Sequence, residues 1–229
     1  RYWRDWSSDV CSSDLNAYGA STDTGAGWAY KADNGFAISS NVGTKSKTTN
    51  GDTGLLTDNS KTSWATQIGY TQPQYSISAI VNAKFNGWAD GYLHTASADD
   101  ALVTAGNHTA VGLRGWWRPE NSGTATPSIS LGYDTSETDA PGNSNTNAYF
   151  VGLTWQDIFN ADDRIGIAFG QPQKHEDDTV DPFLYEVYYD YKVNDSVTVT
   201  PAIFGGTSKN GSGEEVDMTG YVVNTTFKF

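Results

Sequence analysis

Long apolar runs are missing from this 229-residue sequence. No stretch approaches the roughly 20 consecutive apolar residues that a membrane-spanning helix needs, and the mean hydropathy is only −0.51. A helical membrane protein is therefore excluded. A chain that crosses a membrane with strands is not excluded, because apolar and polar residues alternate along such strands and keep the mean hydropathy low.

Basic charge is also scarce. Lysine and arginine number 14 against 27 aspartates and glutamates, which gives a formal net charge of −13 and a pI near 4.4. Nucleic acid is not expected as a partner, because phosphate binding needs a basic patch or stripe. The acidity is typical of solvated loops, and the alternative is a surface or pore that favours cations.

The single cysteine, Cys11, lies in an N-terminal segment of distinct character. Residues 5–15 resemble one reading frame of a common short-read sequencing adapter, and the character of the chain changes at Asn16. We interpret residues 1–15 as a non-native artefact and residues 16–229 as the C-terminal part of one domain. That domain has no cysteine, which excludes disulfides and thiolate metal sites. We also expect that an N-terminal part, including a signal peptide, is missing.

From residue 24 onward the sequence pattern predicts eleven β-strands and no helix. Most candidates alternate apolar with polar residues, which is the period of a strand with two different faces. In residues 183–192, for example, Phe183, Tyr185 and Val187 share one face, while Glu186 and Tyr188 share the other. The predicted strands are 25–32, 35–42, 62–71, 75–85, 108–118, 127–134, 146–155, 163–170, 183–192, 196–204 and 217–229.

Short and long connections alternate along the predicted strands. The long ones are 43–61, 86–107, 135–145, 171–182 and 205–216, and an Asn34-Gly35 hairpin turn is among the short ones. Membrane barrels have this asymmetry, with tight periplasmic turns and longer external loops. We therefore predict an all-β, antiparallel transmembrane β-barrel of porin type. Eleven strands is an odd count, so we expect a barrel truncated at its N-terminus, open or improperly closed, from a protein of about 16 strands.

Aromatic residues lie near many predicted strand ends, where tyrosine and tryptophan form interfacial girdles. This set is Trp28, Trp64, Tyr70, Phe85, Trp116, Trp117, Tyr133, Trp155 and Phe229. The last strand also looks like the C-terminal assembly signal of outer-membrane barrels, with Tyr221, Val223, Phe227 and Phe229 at alternate positions. An exposed strand edge with an aromatic end offers the barrel assembly machinery a strand to pair with.

Four segments resemble the cyanobacterial porins, which are related to carbohydrate-selective porins and are often described as iron-uptake porins. They are residues 148–155 (AYFVGLTW), 163–173 (DRIGIAFGQPQ), 197–204 (VTVTPAIF) and 225–229 (TTFKF). The resemblance covers residues 105–229 well and 16–104 more loosely. It implies passive diffusion of small hydrophilic solutes, with sugars and inorganic ions including iron as candidate cargo, through the outer membrane. Outer-membrane lipid is then a partner, and the sequence leaves open whether three barrels associate as a homotrimer.

Strand alternation suggests which side chains line the water-filled lumen. Arg114, Trp116 and Arg118 fall on one face of their strand, and an arginine facing lipid at the midplane would cost roughly 2–4 kcal/mol. The same reasoning predicts six pore-lining residues: Lys84, Arg114, Arg118, Glu186, Asp190 and Lys192. One hypothesis is that Arg114 and Arg118 oppose acidic residues to set a transverse field; the alternative is structural pairing. The segment 86–107 is long enough for a constriction loop, with an external loop as its alternative.

A porin has no catalytic residues, cofactor or metal, and none is predicted. The histidines have no zinc spacing, and no Gly-x-Ser-x-Gly elbow occurs. We therefore interpret the chain as not an enzyme. Two alternatives remain open: an outer-membrane barrel hydrolase, and a secreted soluble β-sandwich that binds carbohydrate.

Overall fold

The described residues of the chain fold into one antiparallel sheet of eleven strands. The computed structural model describes residues 24–46, 57–88, 107–139, 145–176, 178–210 and 214–228. Each strand pairs with its sequence neighbours, in the order β1 to β11. The strands are β1 (Thr24–Lys31), β2 (Phe36–Ser46), β3 (Ser60–Gln72), β4 (Tyr75–Phe85), β5 (His108–Trp117), β6 (Ser128–Thr138), β7 (Thr146–Gln156), β8 (Arg164–His175), β9 (Phe183–Asn194), β10 (Val197–Lys209) and β11 (Glu215–Phe227).

The predicted strand count and the all-β class are confirmed, and β4 has the bounds expected from its alternation. The predicted loops were too long in the C-terminal half. β6, β8 and β10 continue four or five residues beyond their predicted ends, and β11 begins at Glu215. Polar residues and glycine make up most of these extensions, as in residues 135–138 (TSET), 171–175 (QPQKH) and 205–209 (GGTSK). These extensions pair through backbone hydrogen bonds although they show no alternation of apolar and polar residues. The predicted strict alternation of short and long connections was therefore wrong in this half of the chain.

Tight turns set the register between several strand pairs. At the β1–β2 turn, Gly35 adopts a φ of +94°, and the Asn34 side chain accepts a hydrogen bond from the backbone N–H of Phe36. The β3–β4 turn contains two residues, 73 and 74, and at the β9–β10 turn the Asn194 side chain accepts from the N–H of Ser196. The Asn-Gly hairpin predicted from sequence is therefore confirmed.

The interior of the fold lies on one face of the sheet. Ala65, Ile80 and Ala110 form its buried apolar cluster, and they share that face with buried polar side chains such as Asn82 and Asp134. The opposite face exposes large apolar side chains along almost every strand. This is the burial expected when a sheet curves around its polar side.

Within the described residues, β1 and β11 each pair along one edge only, so this part of the sheet is open between them. The residues that the structure describes include no helix long and apolar enough to cross a membrane.

Candidate functional site

The register sorts every strand into a polar and an apolar face. In β3 and β4 the cross-strand pairs Thr66–Val81, Ile68–Ala79 and Tyr70–Ile77 lie on the apolar face, while Gln67–Ile80 and Gly69–Ser78 lie on the polar face. The apolar face continues around the sheet without interruption. Its members include Trp28, Ile38, Val111, Leu113, Leu131, Val151, Leu153, Ile167, Val187, Ile203 and Val223.

Charged residues on the apolar face of the described strands occur only toward one end. Glu137, Lys174, Glu215 and Asp217 lie close to the connections that follow even-numbered strands. Tyrosine and tryptophan cluster at the other end, where the rings of Tyr70 and Tyr75 lie 6.2 Å apart. An apolar band bordered by aromatic residues is the pattern of a lipid-facing surface. Trp116 lies on the polar face, so its inclusion in the aromatic girdle was wrong.

Arg114 and Asp134 form the best-defined ion pair on the polar face. The guanidinium donates from Nη1 to Oδ1 at 2.9 Å and from Nη2 to Oδ2 at 2.6 Å. The side chains are 17% and 4% exposed, and the ring of Phe150 lies 5.4 Å below the guanidinium carbon. A planar two-point pair with a supporting ring holds the arginine in one orientation.

Lys84 lies at the loop end of the polar face, where β4 finishes. It is fully buried and is the cross-strand neighbour of Ser63 and His108. Trp88, also fully buried, lies just beyond it and has the ammonium of Lys45 4.4 Å from its ring centroid. Of the segment 86–107, the structure describes only residues 86–88 and 107, so the predicted constriction loop lies largely outside the described residues.

Glu186, Asp190 and Lys192 lie on the polar face of β9. Asp190 accepts a hydrogen bond of 2.6 Å from Thr200 and stands opposite Arg164, while Glu186 stands opposite Ala168 and Phe204. Lys192 reaches the adjoining turns instead, with ion pairs of 2.7 Å to Asp162 and 3.3 Å to Asp195.

Arg118 lies apart from the other five predicted residues. It follows the end of β5, and its Nε donates to the carbonyl oxygen of Pro73 in the β3–β4 turn at 2.7 Å. Its guanidinium carbon lies 5.6 Å from the Trp116 ring centroid. Its contacts therefore belong to the turn end of the sheet, four residues along the chain from Arg114.

The β7–β8 turn is organised around the carboxylate of Asp163. Its oxygens accept hydrogen bonds from the backbone N–H groups of Ile158, Phe159 and Asn160 and from the Tyr189 hydroxyl. Burial by itself would raise the pKa of Asp163, but these hydrogen bonds outweigh it and hold the pKa below its ordinary value.

Three of the four predicted assembly-signal residues share the apolar face of β11. Tyr221 pairs with Ile203, Val223 with Pro201 and Phe227 with Val197. All three are exposed on the terminal strand. Phe229 lies outside the described residues, and the role of this group in assembly stays a prediction.

Sequence reasoning missed three contributors to the polar face: Asp134, Phe150 and the lysine pair formed by Lys45 and Lys61. Lys45 and Lys61 lay in a segment interpreted as a loop. Asp134 lay at the end of one predicted strand, and Phe150 lay within the next. The alternation of side chains along those strands would have placed both on the polar face. Their contact with Arg114 required the register.

Comparisons with known proteins give a likeness of fold. The sequence matches no protein-family model and none of the curated proteins. The solved structure of in-vitro folded OmpT, an outer membrane protein of Vibrio cholerae, matches with a TM-score of 0.54 at 14% identity, over 94% of this chain and 72% of that chain. The outer-membrane expressed OmpT of Vibrio cholerae matches with a TM-score of 0.52 at 16% identity, over 93% and 71%.

This likeness corrects the interpretation that the chain is not an enzyme. The matched architecture is that of an outer-membrane barrel protein, and such barrels include hydrolases as well as channels. The exclusion of catalysis from the sequence was therefore wrong. The same finding confirms the predicted fold class: the chain has an all-β fold of the outer-membrane β-barrel type.

Proposed function

We propose that this chain is the wall of a diffusion channel, a porin that lets small hydrophilic solutes cross the outer membrane. The observation that supports this most is the contrast between the two faces of the sheet. The apolar face carries its described charges only near one end, while the polar face carries the Arg114–Asp134 pair, Glu186 and Asp190 along its height.

The polar face suits a water-filled passage because its charged groups are held by their neighbours. Arg114 is oriented by Asp134 and Phe150, and Asp190 by Thr200. Fixed charges and hydrogen-bonding groups on a wall select solutes by size and polarity without a chemical step. Small residues, Gly112, Gly152 and Ala168, stand between these groups on the polar face. The six predicted pore-lining residues belong to this proposal, as does cargo such as sugars or inorganic ions including iron.

Conductance measurements test the channel. Full-length protein, purified in detergent and added to planar lipid bilayers, should give discrete current steps, and liposomes that contain it should swell in small sugars. A tryptophan introduced on the polar face, Ser130→Trp, should lower the single-channel conductance. Its matched control is Leu131→Trp, one residue along on the apolar face, which should leave conductance unchanged.

Protein that is folded and inserted but passes no current would contradict the channel. Equal effects of the two tryptophan variants would contradict the assignment of faces. Peptidase and esterase assays on the same preparation test the barrel hydrolase directly, and hydrolysis without conductance would replace the channel with that function.

A further inference from the structure

Charge is distributed unevenly between the strands and the rest of the chain. The whole chain carries a formal charge of −13. On the polar face of the described strands the balance is reversed, because seven basic residues lie there against three acidic ones. The basic residues are Lys31, Lys45, Lys61, Lys84, Arg114, Arg164 and Lys192, and the acidic ones are Asp134, Glu186 and Asp190.

The excess of positive charge is concentrated in the first part of the sheet. Strands β1 to β5 contribute five of these basic residues, and no carboxylate side chain lies on either face of these five strands. In the second part, Asp134 is bonded to Arg114, Asp190 stands opposite Arg164, and Lys192 contacts the turn carboxylates of Asp162 and Asp195. The charges of β6 to β11 are therefore largely balanced, whereas those of β1 to β4 are all positive.

Three of the lysines gather at the loop end of the polar face. Lys45 and Lys61 are direct cross-strand partners, and Lys84 stands opposite Ser63, two residues along β3 from Lys61. Side chains directly opposite on a sheet have Cβ atoms about 4.5–5.5 Å apart, so like charges there repel unless negative charge comes close. The Trp88 ring beside the Lys45 ammonium limits how far that lysine can turn away.

We infer that the passage prefers anions, and that the cross-strand neighbours Lys45 and Lys61 form its anion-attracting wall. This inference rests on the proposed channel function and names its solute class: small inorganic anions and carboxylate-bearing solutes. A wall charge acts most strongly on an ion that passes within the Debye length, about 8 Å at physiological ionic strength. The inferred preference is opposite to the cation-favouring pore that the overall composition offered as an alternative.

Reversal potentials in a potassium chloride gradient test this inference on full-length protein in planar bilayers. The wild type should be more permeable to chloride than to potassium. Lys61→Glu should lower the chloride-to-potassium permeability ratio by at least about twofold, because one unit charge roughly 8 Å from an ion in water already has an effect of that size and the substitution changes the charge by two units. Lys228→Glu is the matched control, since it makes the same charge change beyond the end of β11.

Lys31→Glu provides a second variant at the turn end of the basic wall, where folding does not depend on a buried ammonium, and it should lower the ratio in the same direction. Liposome swelling should also be faster in gluconate than in a neutral sugar of similar size. A wild-type channel that prefers potassium overturns the inference and leaves the channel standing. Equal shifts for Lys61→Glu and Lys228→Glu overturn it too, because the wall would then have no special effect. Inserted protein without conductance overturns both proposals.

Discussion

The ring of Phe150 lies directly over Gly132 on the neighbouring strand. A Cβ built on Gly132 would come within 2.0 Å of Phe150 Cε1, so only glycine leaves room for the ring. The same ring lies under the guanidinium of Arg114, which is the cross-strand partner of Gly132. The absence of a side chain at Gly132 therefore leaves room for the Phe150 ring, which in turn packs under the best-defined ion pair of the polar face.

Gly132→Ala should destabilise the sheet by about 1–3 kcal/mol, because the ring must move off its site as in other overpacked interiors. The loss of stability is measured on gels as the temperature at which half of the protein changes from the mobility of the folded barrel to that of the boiled chain. Gly152→Ala is the control: it lies on the same face, and its new methyl would meet Ser130 Cβ at an ordinary 3.6 Å. Equal effects of the two variants would contradict the packing role of Phe150.

Removing either partner of the Arg114–Asp134 pair should also be costly. Arg114→Gln and Asp134→Asn each leave a largely covered charge without its partner, and losses of roughly 3 kcal/mol are typical of such changes. The double variant should lose less than the sum of the two single variants, because the pair acts as a unit. Additive losses would show that the two side chains contribute independently.

Asp195→Asn serves as the control for the single and double variants of Arg114 and Asp134. Asp195 is fully exposed and contacts Lys192 at the surface of a turn. Exposed ion pairs contribute little to folding, so its unfolding midpoint should match that of the wild type.

The Asp163 turn should give the protein a stability that depends on acidic pH. Because hydrogen bonds lower the pKa of Asp163 in the folded state, its contribution is complete above the ordinary aspartate pKa. It is lost as the pH falls through the lower folded-state value. Asp163→Asn should be less stable than wild type at neutral pH, and the difference should shrink toward acid. Unfolding midpoints of both proteins across an acidic pH series measure this, and a constant difference would contradict it.

A charge placed on the apolar face should be far more harmful than one placed on the polar face. Ile68→Arg puts an arginine where a 47% exposed isoleucine faces the lipid, at a cost of roughly 2–4 kcal/mol near the bilayer midplane. Gln67→Arg places the same residue one position earlier, on the polar face. Stability in lipid vesicles should fall for Ile68→Arg alone. Equal tolerance of both would contradict a lipid-facing apolar surface.

Local pattern was enough to predict strands where one face is apolar. β4 was predicted with its observed bounds because Ile77, Val81 and Phe85 alternate with polar residues. The extensions of β8 and β10 escaped prediction because strand segments that are polar on both faces carry no period-2 signal. For the same reason the sequence did not predict that Lys45 lies on the polar face, since the end of β2 was interpreted as a loop.

The candidate site divides in the same way. Alternation placed Lys84, Arg114, Glu186 and Asp190 on one face, and the register keeps them there. It could not show that Arg118 contacts the β3–β4 turn at Pro73, because that contact spans 45 residues.

The sequence by itself determined the eleven strands of the described residues, the contrast between their faces and the side on which Lys84, Arg114, Glu186 and Asp190 lie, because side chains alternate along an extended chain with a period of two. Only the tertiary structure decided which charges meet: Arg114 with Asp134, Asp190 with Thr200, and Lys45 opposite Lys61. Those contacts depend on cross-strand register, where a slip of one residue exchanges the two faces and breaks every pair.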